Sequence, residues 1–196
     1  PVSHRFLSKI IAMEIPNDIN WEDVRQSLDL RGYARVPSLW SSQQCADMIN
    51  MYEEHALFRS TINMQRYRFG QGEYKYFAYP LPKPVQILRE ELYPFLVPLA
   101  NHWMQRLGTD VNYPADVLTF LSQCHARGQQ RPTPLVLRYE TGGYNTLHQD
   151  IYGEVFFPFQ VVIMLTQEGK DFEGGELVFV EQLPRAQSRA EVVTPS

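Results

Sequence analysis

The sequence predicts an α+β, mainly β fold: a double-stranded β-helix (a jelly roll of the cupin type) with supporting N-terminal helices. Two observations predict it. Capped amphipathic segments occupy much of the first 133 residues, and from residue 134 onward short apolar runs alternate with Gly, Pro or charged turns. A length of 196 residues favours one domain, with 1–133 as a helical and mixed support region and 134–196 as the jelly-roll core.

Helix start and stop signals define the support region. Asn20 is a plausible N-cap, and Ser41 with Gln44 forms a capping-box pattern. Gly residues follow three of the periodic segments, where a left-handed residue ends a helix. The predicted helices are 20–31 (ended by Gly32), 42–57, 84–107 (ended by Gly108) and 114–126 (ended by Gly128), with a short strand at 33–37.

The core region is predicted to consist of successive antiparallel strands. In the run 159–165, the apolar residues Phe159, Val161, Ile163 and Leu165 share one face by the period of two. The predicted strands are 134–140, 143–150, 156–166, 174–182 and 189–195.

Composition and charge limit the classes of function. The net charge is −4, so any nucleic-acid partner would need a local basic patch. No apolar run of 18 residues is present, which predicts no membrane-spanning helix. The two cysteines, Cys45 and Cys124, form no CxxC pair, which favours reduced thiols in a cytoplasmic protein over a disulfide or metal role.

His148 and Asp150 are the strongest candidates for chemistry. Residues two apart on a strand share a face, so this imidazole and carboxylate can converge on one metal ion. They would form the first half of a facial triad of two histidines and one carboxylate. An isolated His-x-Asp is a weak signal, because a structural pair has the same spacing, and the flanking residues decide between the two interpretations.

The flanks resemble Fe(II)- and 2-oxoglutarate-dependent dioxygenases. Arg138-Tyr139 and Leu147-His148-Gln149-Asp150 resemble the metal-binding strand of the branch that repairs alkylated nucleic acid, and Gly174-Gly175-Glu176 resembles the prolyl-hydroxylase-type continuation. Over most of the chain, the sequence is most similar to a bacterial family of such oxygenases assigned to oxidation of damaged, alkylated nucleic acid.

This resemblance implies cofactors and roles. Fe(II), 2-oxoglutarate as cosubstrate and O2 are expected, with His148 and Asp150 as catalytic metal ligands. The hydroxyl of Tyr139 would contact 2-oxoglutarate, unless the ring serves only core packing. Tyr152 and Glu154 follow the ligands and are candidates for substrate contact, or else ordinary loop residues.

The sequence departs from the family pattern in three respects. The resemblance implies a distal histidine ligand and a later Arg or Lys that pairs with 2-oxoglutarate, but no histidine follows His148. We expect both residues, and further C-terminal strands, beyond residue 196. Leu137 stands where the repair enzymes carry an Asn, and Tyr152 where they carry an acidic substrate-reading residue.

The segment 58–83, called here the basic-aromatic segment, alternates five basic residues with many aromatic rings and contains a single acidic residue, Glu73. Given the resemblance, it is a candidate substrate lid, with Arg66 and Tyr76 as substrate contacts, because rings and cations suit a flipped base and its phosphates. The other interpretation is a hairpin with core aromatics and solvated charges.

Three functions remain open from the sequence. The first is an oxygenase that demethylates alkylated DNA or RNA, and the second is a prolyl, peptidyl or amino-acid hydroxylase. The third is a non-catalytic binding module, which would follow if the distal histidine is absent. The choice between DNA and RNA and the oligomeric state are not predicted.

Overall fold

Helices dominate the first two thirds of the computed structural model, which describes residues 16, 18–182 and 185–194. The first begins where predicted: the Asn20 side chain accepts hydrogen bonds from the backbone N–H of Glu22 and Asp23, and the helix ends at Gly32, whose φ is 78°. The capping box of Ser41 and Gln44 is also confirmed. The helices are α1 (Trp21–Arg31), α2 (Ser42–Asn50), α3 (Met64–Tyr67), α4 (Lys83–Arg106) and α5 (Val117–Ala126).

The strands of the described residues form three small antiparallel sheets. One has the order β1-β3-β4, and the other two are the pairs β2-β5 and β6-β7. The strands are β1 (Phe58–Asn63), β2 (Gly70–Gln71), β3 (Glu73–Phe77), β4 (Leu135–Arg138), β5 (Tyr144–Asn145), β6 (Leu177–Glu181) and β7 (Arg189–Val193).

β3 separates a buried side of its sheet from a more open one. Lys75 and Phe77 are buried, whereas Tyr74 and Tyr76 are only partly buried, as the period of two requires. The Lys75 ammonium donates to the backbone carbonyl of Tyr52 (2.9 Å) and lies 4.0 Å from the centre of that ring. The basic-aromatic segment therefore contains a sheet hairpin, with core residues on one face and partly covered aromatic rings on the other. Its role as a substrate lid stays a prediction.

Two hydrophobic clusters form the core. The larger lies between α4 and α5 around Tyr93, Ala100 and Phe120, and the smaller joins α2 to the β1-β3-β4 sheet around Met48 and Phe77. The segment 155–165 connects them: its first part packs on the larger cluster through Val155, Phe157 and Phe159, and Leu165 packs on the smaller. This segment begins five residues after Asp150, so packing on the core anchors the chain shortly after the motif.

Four predictions of secondary structure are wrong in whole or part. Residues 33–37 and 156–166 form no strand, because in the described chain no neighbouring backbone pairs with them. Of 143–150, only Tyr144–Asn145 pairs, so His148 and Asp150 lie outside regular structure. The helix predicted over 42–57 breaks after Asn50 into two 3-10 turns.

The jelly roll stays a prediction. The sheets of the described residues are small and do not close into a barrel. In the same part of the chain, no helix is both long and apolar enough to span a bilayer.

Candidate metal centre

His148 and Asp150 converge in space although they do not lie on a strand. The His148 Nε2 and Asp150 Oδ2 atoms are 3.4 Å apart, and both side chains are a little less than half exposed. Two ligand atoms, each about 2.1 Å from one ion and separated by a bond angle near 90–110°, lie about 3.0–3.5 Å apart. The pair therefore has the separation that two ligands of a single cation require.

The orientation of the imidazole is fixed by the chain itself. His148 Nδ1 lies 2.7 Å from the backbone carbonyl oxygen of Thr146. Because a carbonyl oxygen only accepts, Nδ1 must carry the proton of this hydrogen bond. In the neutral ring the lone pair is then on Nε2 and faces Asp150, which is the tautomer that a metal-ligating histidine uses.

The Asp150 carboxylate is also held by a residue ten positions later. The side-chain amide of Gln160 donates to Asp150 Oδ2 at 3.2 Å. The Nε2 lone pair and the carboxylate oxygen, both acceptors when imidazole is neutral, face each other across 3.4 Å, an arrangement that a shared cation stabilises. The donor set of one neutral imidazole and one carboxylate suits Fe(II), Mn(II) and related ions.

The described residues do not bring together a complete set of metal ligands. Among them, no group of three or more His, Cys, Asp or Glu side chains could hold an ion. His55, His102 and His125 belong to other parts of the fold. The distal histidine expected from the sequence is not among the described residues and stays a prediction.

The open face of the β1-β3-β4 sheet carries aromatic rings on which the charge of Asp150 acts. Tyr74 and Tyr76 make an edge-to-face contact there at 5.5 Å between ring centres, and the Arg59 guanidinium lies 4.2 Å from the centre of the Tyr76 ring. Burial raises the pKa of both tyrosines, and the nearby Asp150 and Tyr152 raise it further. On Tyr76, the Arg59 guanidinium acts in the opposite direction and lowers the pKa. Substrate contact by Tyr76 and Tyr152 stays a prediction.

Tyr139 follows the last residue of β4. Its ring packs against the backbone of Gly72, where an added Cβ would be 2.8 Å from the ring atom Cδ1. Burial raises the pKa of its hydroxyl, and a hydrogen bond with the Asn145 side chain acts in the opposite direction. Tyr139 is thus tied to the strand that leads into His148, and its contact with 2-oxoglutarate stays a prediction.

For two other predicted contact residues, substrate contact stays a prediction. Glu154 forms an exposed ion pair with Arg127 at the end of α5, 2.9 Å between Nη1 and Oε2. Arg66 is exposed on α3, and no described contact connects its side chain to His148 or Asp150.

The sequence did not predict the residues that hold His148 and Asp150 in place. Thr146 acts through a backbone carbonyl, which no residue type reveals, and Gln160 carries no motif. Tyr74 could have been found, because it precedes Tyr76 by two residues in an alternating strand and shares its face.

The comparisons with known proteins agree with the nucleic-acid branch of the resemblance. Residues 72–196 match the profile of the Oxygenase-NA family, described as "oxygenase, catalysing oxidative methylation of damaged DNA". The matched region includes the whole candidate centre and strands β3–β7.

Two relatives from Mycobacterium tuberculosis also match part of this chain. They are the "Uncharacterized protein Rv2227" of strain H37Rv and the "Uncharacterized protein MT2286" of strain CDC 1551, and each is 48% identical over 113 residues, or 58% of this chain and 48% of the relative. The chain thus spans about half the length of the curated relatives it matches. No solved structure matches.

Proposed function

Because the chain belongs to the Oxygenase-NA family, we propose that it is an Fe(II)- and 2-oxoglutarate-dependent oxygenase that acts on alkylated nucleic acid. The observation that carries this proposal is the convergence of His148 Nε2 and Asp150 Oδ2 at 3.4 Å. A carboxylate and a correctly oriented imidazole are two of the three ligands of a facial triad. The third would come from outside the described residues.

The bound iron would supply the redox chemistry that joins O2, a 2-oxo acid and a substrate C–H bond. In the overall reaction, one oxygen atom enters succinate and the other enters the substrate, with release of CO2. Inserted into an N-methyl group, oxygen gives a hydroxymethyl group that leaves as formaldehyde, and the base keeps a hydrogen on nitrogen. We therefore propose oxidative demethylation as the outcome.

The chain's own residues would hold and shield this site. Thr146 fixes the imidazole so that Nε2 is the metal ligand, and Gln160 orients the carboxylate. Tyr139 is the proposed contact for 2-oxoglutarate, by resemblance.

Substrate would meet the aromatic face of the sheet. Tyr74 and Tyr76 offer ring surfaces beside Asp150, and an alkylated base can stack on such surfaces once it is unpaired. Arg59, which packs on Tyr76, adds a positive charge for a phosphate or for the ring itself. Tyr152, which is largely exposed after the ligands, would close over the base.

The test is turnover by the full-length protein. With Fe(II), 2-oxoglutarate and an oligonucleotide that carries 1-methyladenine, we expect equal amounts of formaldehyde and succinate. Asp150→Asn should abolish both products. Asp47→Asn, an exposed carboxylate on α2 that bonds Gln43, is the matched control and should keep them.

Two results would contradict the proposal. One is the absence of turnover on methylated single-stranded and double-stranded DNA and RNA. The other is the gain of one oxygen atom on proline-containing peptides or free amino acids, which would favour the hydroxylase alternative.

A further inference from the structure

We propose that Tyr67 and Phe69, flanked by Arg66 and Arg68, form a second binding site for the unpaired nucleotide next to the reacting base. The protein would therefore take single-stranded nucleic acid as its substrate. This inference rests on the proposed function and adds to it a surface that lies outside the metal centre. These four residues are called the ring platform below.

The two rings of the platform are exposed to solvent. Tyr67 is 56% exposed and Phe69 is 44% exposed, whereas Phe77 in the same segment is 1% exposed. They lie nearly parallel, with ring centres 5.5 Å apart and planes 20° apart. Exposed rings with nearly parallel planes offer flat surfaces to a base, since every base has a π-face.

The backbone that carries the two rings is held by packing and by hydrogen bonds. Met64, at the start of α3, is fully buried, and the turn after the helix is closed by hydrogen bonds from Arg68 N to Gln65 O and from Phe69 N to Met64 O. Arg68 itself adopts a left-handed conformation, with φ of 60°. Because the backbone is fixed, little ordering entropy would be lost when a base binds to the rings.

The platform is hydrogen-bonded to the segment that carries the metal ligands. Thr146 donates to the Phe69 carbonyl oxygen twice, from its backbone N–H (2.8 Å) and its hydroxyl (3.0 Å). The carbonyl of the same Thr146 accepts from His148. The backbone that carries the rings is thus joined through one residue to His148, and we infer that a nucleotide on the rings would neighbour a base at the metal centre.

Charge favours a nucleic acid over other flat ligands. The chain as a whole carries a net charge of −4, so binding a polyanion requires a local cationic surface. Arg66 and Arg68 are both exposed and alternate with the two rings. A duplex hides the faces of its bases, so rings at the protein surface can stack only on an unpaired strand.

The test is the affinity for a fluorescein-labelled, single-stranded oligothymidine, measured by fluorescence anisotropy on the full-length protein. Replacing both rings, with Tyr67→Leu and Phe69→Leu, keeps apolar bulk but removes stacking, and should weaken binding by at least about tenfold. Tyr67→Phe keeps the ring and should bind as wild type. Tyr79→Leu removes an exposed ring of similar setting, beside Arg89, and is the matched control.

The arginines are tested through salt dependence. Arg66→Gln with Arg68→Gln should lower the slope of log affinity against log salt by about 0.7 for each phosphate that an arginine no longer neutralises. An unchanged slope would remove the arginines from the site. The ring platform is overturned if the double Leu variant binds oligothymidine as wild type does, if a duplex binds as tightly as a single strand, or if a proline-containing peptide displaces the oligonucleotide.

A second measurement separates this inference from the proposed function. Demethylation of the free nucleotide of 1-methyladenine needs the metal centre but no neighbouring nucleotide, so the double Leu variant should keep the wild-type rate there. Loss of that rate in the variant would show that the rings belong to the catalytic centre and would overturn the second site. If wild type binds oligothymidine through the rings but demethylates nothing, the proposed function fails and the platform stands.

Discussion

At the scale of single residues, the candidate centre depends on two side chains and on two contacts that orient them. The spacing of His148 and Asp150 is visible in the sequence, and so is the chemistry that it implies. The carbonyl of Thr146 and the amide of Gln160 are not, because a carbonyl's direction depends on the local backbone and Gln160 reaches Asp150 only through the path of the chain. The convergence of the two side chains could therefore be predicted, but the contacts that orient them could not.

The contact from Gln160 gives a prediction at this scale. Gln160→Ala removes the donor that positions Asp150 Oδ2, and we expect Mn(II) or Fe(II) affinity to fall by about 10-fold, since outer contacts of metal ligands have effects of about 10–100-fold. Titration calorimetry measures it. Gln43→Ala breaks a similar Gln–Asp hydrogen bond on α2 and should leave metal affinity unchanged. Equal affinities for wild type and Gln160→Ala would show that the amide does not position the ligand.

At the scale of elements, the predicted strands 134–140, 174–182 and 189–195 contain β4, β6 and β7, but 33–37 and 156–166 form none. Helices were predicted more reliably than strands, for a physical reason. Helix bonds and caps are local, so Asn20, Gly32 and the Ser41 box identify α1 and α2 from neighbouring residues alone. A strand needs a partner from elsewhere, and the apolar run 156–166 has none in the part of the chain that the structure describes. Its residues join the two clusters instead, which alternation alone could not reveal.

The pairing of β2 with β5 gives a prediction at this scale. At Gly70, a Cβ would lie 2.1 Å from the Tyr144 carbonyl oxygen, whereas at Gly32 nothing lies within 4 Å, and both have positive φ. Gly32→Ala should cost about 1 kcal/mol of unfolding free energy from strain alone. Gly70→Ala should cost more and should also weaken metal binding, because β5 leads into His148. Urea unfolding and metal titration check both, and similar losses in the two variants would mean that β2-β5 pairing does not support the centre.

At the scale of the whole molecule, several tyrosines are harder to ionise in the folded chain than in the unfolded one. Tyr52, Tyr93 and Tyr113 are buried, whereas Tyr74, Tyr76 and Tyr139 are partly covered. Burial is the largest cause of the raised pKa at all six. Each hydroxyl stays protonated in the folded chain at a pH where the unfolded chain has already ionised.

This gives an expected loss of stability in alkali. An unfolded tyrosine ionises near pH 10, so the stabilisation is complete below about pH 10 and is lost as pH rises through the higher folded pKa values. Circular dichroism with tyrosinate absorbance should show unfolding and ionisation together above pH 10. Tyr113→Phe removes a buried hydroxyl that has no hydrogen-bond partner among the described residues, and should reduce the alkaline loss. Ionisation of all tyrosines near pH 10 without unfolding would contradict this prediction.

The proposed function depends on one cation shared by His148 and Asp150. The most direct measurement is anomalous diffraction from crystals of the full-length protein grown with Mn(II), an ion that suits the same nitrogen and oxygen ligands. We predict an anomalous peak about 2.1 Å from both His148 Nε2 and Asp150 Oδ2, and its disappearance in Asp150→Asn crystals. A peak elsewhere, or none at this pair, would contradict the account.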